Sequence, residues 1–167
     1  MISGFISKLL FGRELEWSEK EIKIFGKDFC LQPVDILLSV QKKLKDKKKS
    51  RILYESAKEN FFHFSKEMSK YGDKELFMRY MLTLISHLGF GTLKVVDLKE
   101  SSAKVQVEKN RFAEMYRKKF GTQKEPVDLL LAGMIAGFFS AYFGKDVDCK
   151  EKFCAAQGKN VCSFFVQ

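Results

Sequence analysis

Apolar residues recur at helical spacing through the middle of this chain and at strand spacing on either side of it. Residues 2–11, with Phe5, Ile6, Leu9, Leu10 and Phe11, predict a short terminal helix that packs on the body or on a second subunit. Glu21–Gln32 alternates Ile22 and Ile24 with Phe29 and Leu31 around Gly26-Lys27-Asp28, a β-hairpin pattern with Cys30 buried in its second arm. Three helical patterns follow. Pro33–Lys49 places Val34, Leu37, Leu38 and Leu44 on one face, and its closing lysines suit the negative helix end. Arg51–Tyr71 carries Ile52, Leu53, Ala57, Phe61, Phe62, Phe64 and Met68, and Lys74–Leu88 ends at Gly89. The period then shortens: Thr92–Leu98 and Ala103–Val107 read as paired strands joined at Lys99–Ser102. Asn110–Phe120 reads as a charged connector with one or two helical turns. A nearly continuous apolar run, Val127–Phe143, predicts a buried helix bounded by Pro126 and Gly144, and strands near Asp146–Phe153 and Val161–Val166 flank Gly158-Lys159-Asn160. This order predicts one α+β domain with an antiparallel sheet.

Reactive side chains concentrate in the last strands. Glu151-x2-Cys154-x7-Cys162 offers a carboxylate and two thiols, a reasonable zinc set in which positions 154 and 162 face each other across a hairpin. Cys149 is a fourth ligand by proximity. The same spacing also suits three reduced thiols packed beside a sheet. Gly133-x3-Gly137, with Ser140 and Ala141 a turn later, leaves one helix face small enough for close approach by a sheet, a second backbone or a slender ligand. His63 and His87 sit in no acid–base motif, and no nucleophile elbow, phosphate loop or dinucleotide fingerprint occurs, so catalysis has no visible carrier.

Composition sharpens this picture in three places. An apolar content of 46% and two prolines in 167 residues fit one packed domain without long linkers. The net charge of +9 comes mostly from lysine: five of thirty basic residues are arginine, which argues for a solvated surface and against nucleic acid as the partner. Met1–Phe11 is too short for a signal peptide, and Val127–Gly144 carries Asp128 and small residues unlike a membrane span. The chain therefore reads as cytoplasmic, with reduced cysteines.

Gly133–Gly144 (G-M-I-A-G-F-F-S-A-Y-F-G) followed by Glu151-K-F-C-A-A-Q-G-K-N-V-C-S-F-F-V resembles the 4-vinyl-reductase-like domain. That family shares its fold with subunits of the TRAPP vesicle-tethering complex. It includes the aromatic-sensing domains of phenol- and xylene-responsive activators and archaeal proteins described as predicted hydrocarbon-binding. The resemblance implies a single domain over residues 1–167 of this α+β type, an antiparallel sheet packed against a helical layer. Residues 1–32 would form an N-terminal helix and hairpin that join a homodimer interface. It further implies a stand-alone sensor or carrier for a small apolar or aromatic ligand, with protein-interaction scaffolding as the alternative. The pocket would be lined by Phe61, Phe64, Phe77, Tyr80, Met81, Leu84, Phe138 and Tyr142. In the aromatic-sensing members a glutamate, two hairpin cysteines and a cysteine before the small-residue helix hold zinc. These positions carry over to Glu151, Cys154 and Cys162, with Asp128 standing where those members have cysteine. A closed set of four such ligands would make the zinc structural.

Overall fold

The computed structural model describes residues 15–44 and 47–167; the expected helix over residues 2–11 lies outside them. The chain divides into two compact units, one ending at Ile36 and the other spanning Leu37–Gln167.

In the first unit the expected hairpin gains a strand. β1 (Leu15–Trp17), β2 (Ile22–Ile24) and β3 (Lys27–Phe29) form an antiparallel meander, with Phe25 and Gly26 at positive φ in the tight β2–β3 turn. Cys30 follows β3 and is exposed rather than buried, its sulfur accepting from Gln32 Nε2 at 3.0 Å.

Helices α1 (Val34–Lys43), α2 (Lys47–Met68) and α3 (Lys74–Ile85) match the three helical patterns, with one correction. Lys47–Lys49, expected to close α1, open α2 instead. Lysine is a good helix former along the chain, and that tendency outweighs the ~0.3–1 kcal/mol of a charge near a helix end. Asp73 caps α3 by accepting from Leu76 N at 2.8 Å.

The expected connector is a full helix, α4 (Arg111–Phe120). Phe112, Tyr116 and Phe120 recur every fourth residue and stack along one face, and Asn110 caps the helix through Ala113 N at 3.0 Å. Helix α5 (Leu129–Phe143) is buried without a break from Leu131 to Ser140. Its charge-free surface marks a helix covered on all sides. Among the described residues no helix is long and apolar enough to cross a membrane.

The second sheet has the order β4 (Thr92–Leu98), β5 (Ala103–Glu108), β7 (Val161–Val166), β6 (Cys149–Phe153), all antiparallel. Ala103, Val105 and Val107 of β5 and Cys162, Phe164 and Val166 of β7 form its buried face, and α5 lies against β6 and β7. The chain is thus α+β, with an antiparallel sheet covered by helices. On its other side α5 meets α2, where Gly133 and Gly137 bring the two backbones together.

A polar latch ties α2 to β6. As an edge strand, β6 has outward N–H groups without a strand partner. Tyr54 Oη accepts from Cys149 N at 2.9 Å and donates to Asp148 Oδ1 at 3.0 Å. Lys58 reaches Asp146 and Asp148 at 2.9 and 2.8 Å, which holds the Asp148 carboxyl below its ordinary pKa. The Asp148 and Asp146 side chains are largely exposed, so those ion pairs are worth about 0–1 kcal/mol. Tyr54→Phe, which strands the buried Cys149 N–H, is expected to cost about 1–3 kcal/mol in urea denaturation. Lys58→Met is expected to cost less, and the reverse order would show that the ion pairs dominate.

Candidate metal centre

A Glu-x2-Cys spacing puts the two side chains on opposite faces of a regular strand, because successive residues alternate. Here a register shift between Glu151 and Phe153 adds one residue to β6 against β7. Phe153 is turned out to 51% exposure, and Glu151 and Cys154 both face inward. Beyond the shift Phe153 pairs with Ser163, so the next pair inward is Cys154 opposite Cys162, their sulfurs 4.0 Å apart. One ligand atom from each of Glu151, Cys154 and Cys162 lies within 4.8 Å of the others.

Helix N-termini close around this group. The short 3₁₀ turn Ala155–Gln157 directs Ala155 N to Cys162 Sγ at 3.2 Å and Ala156 N to Cys154 Sγ at 3.4 Å. Asp128, the N-cap of α5, accepts from Leu131 N at 3.1 Å and donates its own N–H to Glu151 Oε2 at 2.8 Å. Asn110 Nδ2 points at both Asp128 Oδ2 (2.8 Å) and Cys162 Sγ (3.5 Å). Gln41 of α1 donates to the carbonyl of Val127. Asn110 is the site residue that sequence reasoning missed. Its signal was present, an N-cap residue just ahead of the Phe112, Tyr116, Phe120 stripe.

Burial governs the electrostatics. It raises the Glu151 carboxyl to about 9, with the Cys154 sulfur adding to the effect. Burial, then the neighbouring Glu151, raises Asp128 to about 7. The Cys162 thiol donates to Cys154 and is itself pushed up, which lowers Cys154 to about 6. Glu151 Oε1 is buried with no hydrogen-bond partner. A carboxylate oxygen lacking a donor, beside two thiols that already receive N–H groups, is a donor set suited to a zinc-like cation. Asp128 lies at the edge of this set, joined through Asn110 and through its own N–H. Cys149 is buried on the same face of β6, two residues before Glu151 and outside the converging group, its thiol pKa raised by burial.

The expected pocket residues fall into two sets. Phe77 of α3 meets Phe138 and Tyr142 of α5 at ring distances of 5.4 and 6.4 Å, while Phe61 and Phe64 pair on α2 at 6.1 Å. Phe64, Phe77, Met81, Leu84 and Phe138 are buried; Phe61, Tyr80 and Tyr142 are partly exposed. Two surface grooves have other linings: about 590 Å³ along α4 between Arg111 and Thr122, and about 260 Å³ beside Lys58 and Asp146.

Residues 107–167, which supply Asn110, Asp128 and the whole Glu151–Cys162 hairpin, match the model of the vinyl-4-reductase domain family. No curated protein matches the chain by sequence. Among solved structures, the phenol-responsive sensory domain of the transcription activator PoxR superposes with a TM-score of 0.79 at 18% identity, over 99% of this chain and 90% of that one. A vinyl-4-reductase family protein from Methanocaldococcus jannaschii follows at 0.57 and 21% identity, over 83% of each chain. Subunit 3 of the trafficking protein particle complex from Naegleria fowleri, covalently bound to palmitic acid, gives 0.54 at 12% identity, over 80% of this chain and 88% of that one. The C-terminal segment of this chain is therefore a vinyl-4-reductase domain, carried in an α+β fold of the kind these three proteins share.

Proposed function

We propose that this chain is a small-molecule-binding sensory module that takes an apolar or aromatic ligand between its helices, with a structural zinc site shaping one wall. The observation that carries the reading is the near-complete superposition on a phenol-responsive sensory domain. The layer of Phe77, Phe138 and Tyr142, beside Met81 and Leu84, supplies an apolar lining of the right chemistry. Glu151, Cys154 and Cys162 would hold zinc, with Asp128 as the fourth ligand. Bound there, zinc would neutralise the thiolates and carboxylates and pin the hairpin to the start of α5. The module works as a homodimer in the cytoplasm, where its four free cysteines stay reduced.

The scaffold alternative has one observation in its favour: Val96 and Leu98 are exposed on β4, an edge strand. Solvent extraction and mass spectrometry of the purified protein, with a thermal-shift panel of apolar compounds, separates the two. A co-purifying apolar molecule, or a panel member that raises Tm in proportion to its concentration, is the expected result. No extract and no shift across the panel would favour the scaffold.

A further inference from the structure

Ser65 lies in the buried stripe of α2 at 0% exposure, and its hydroxyl has no hydrogen-bond partner. Other helical hydroxyls in this protein satisfy themselves on the preceding turn. Thr83 Oγ1 donates to Arg79 O at 2.7 Å, Ser86 Oγ to Leu82 O at 2.8 Å, and Ser69 Oγ to Lys66 O at 2.9 Å. Ser65 has equivalent backbone carbonyls behind it and bonds to none.

Its position on the helix gives the orphan hydroxyl a meaning. Gly133 packs against Tyr54 and Ala57, and Gly137 against Lys58, Phe61 and Phe62. An advance of four residues on α5 moves the contact by about four on α2, so the helices run parallel along one seam. The next turn of that seam carries Phe64 and Ser65 on α2 and Ala141 on α5. Phe64 is buried there, and the ring cluster of Phe77, Phe138 and Tyr142 starts at the residue after Gly137. A small-residue face, an aromatic lining and one buried polar atom without a partner thus meet on one stretch of the helix pair.

We infer that Ser65 Oγ is the polar anchor of the ligand site. Resting on the small-molecule reading above, this narrows the ligand class to a mostly apolar molecule with one hydroxyl or similar hydrogen-bonding group. The anchor's selectivity comes from its isolation, because a ligand that presents a methyl group there leaves the hydroxyl unpaired.

The test uses matched probes in which a methyl replaces a hydroxyl: phenol and toluene, cyclohexanol and methylcyclohexane, titrated by calorimetry into wild-type and Ser65→Ala protein. Wild type is expected to prefer the hydroxyl member by about five- to tenfold. Ser65→Ala is expected to lose that preference, keep its affinity for the methyl member, and melt no lower than wild type without ligand. A preference that survives in Ser65→Ala overturns the anchor alone, as does a lowered melting point, which would mean that the hydroxyl is already satisfied. Failure of all four probes to bind wild type overturns the small-molecule reading together with the anchor.

Discussion

Protein purified without added metal or a metal-affinity tag is expected to carry about one zinc per chain, and the Cys154→Ser/Cys162→Ser variant none. Without a cation the cluster is costly: a carboxylate oxygen is buried with no partner, and two sulfurs sit 4.0 Å apart at 0% exposure. An unsatisfied buried acceptor alone is worth about 1–3 kcal/mol against folding. A metal bound only by the folded chain, at a thousand times its Kd, contributes about 4 kcal/mol. For a domain of this size that is about 8–16 °C in Tm. A chelator should therefore lower the wild-type Tm by about that much and leave the double variant unmoved. The chelator arm keeps the test valid if the variant folds poorly. Metal-free wild type whose Tm ignores chelation would dispose of the site and leave the cysteines as packing residues.

Asp128 admits a finer cut within the same experiment. Both of its oxygens accept N–H groups, one from Leu131 and one from Asn110, so it serves as an N-cap whether or not it ligates. Asparagine caps helices about as well as aspartate and is a poorer zinc ligand. Asp128→Asn should thus weaken zinc retention and leave the chelated protein's stability within about 0.5 kcal/mol. Unchanged retention would leave Asp128 with capping alone.

The site was legible where chemistry sits in side-chain type and hidden where it sits in backbone geometry. Glu151, Cys154 and Cys162 stood out because few other residues supply carboxylate and sulfur in the same strand pair. That they converge depends on the register shift after Glu151, and no residue type announces a bulge in a strand as charged as Cys149–Phe153. Asn110 was missed because its helix was read by charge: Glu114, Arg117, Lys118 and Lys119 obscure the aromatic stripe that makes α4 a helix. Burying one face suffices, and the charges occupy the other. In the fold, the long periodic elements α2, α3 and α5 were legible because each buries a continuous face. Helix ends moved by several residues where lysines, comfortable in either state, left no start or stop signal.

Gly137→Ala is expected to destabilise the protein by about 2–3 kcal/mol, the reverse of what the substitution does in most helices. In an exposed helix interior alanine is favoured over glycine by about 1 kcal/mol. Against that stands the seam with α2. A Cβ on residue 137 would run into the carbonyl oxygen of Lys58 and come within 2.7 Å of Phe62 N, both backbone atoms that no side-chain rotation can move. Relief requires the two helices to separate, and separation opens the packing of a helix buried along ten consecutive residues. Overpacking of this kind costs ~1–3 kcal/mol or more, and the fixed backbone on the far side places it at the upper end. Gly144→Ala serves as the contrast. Its Cβ meets nothing within 4 Å, so that variant should lose only the cost of its left-handed φ of 69°, on the order of 1 kcal/mol. Urea denaturation of the two variants, read against wild type, decides the matter. A Gly137→Ala protein as stable as wild type would mean that the helices are free to part at the seam, and the close approach would then have no part in holding α2, α5 and the sheet in register.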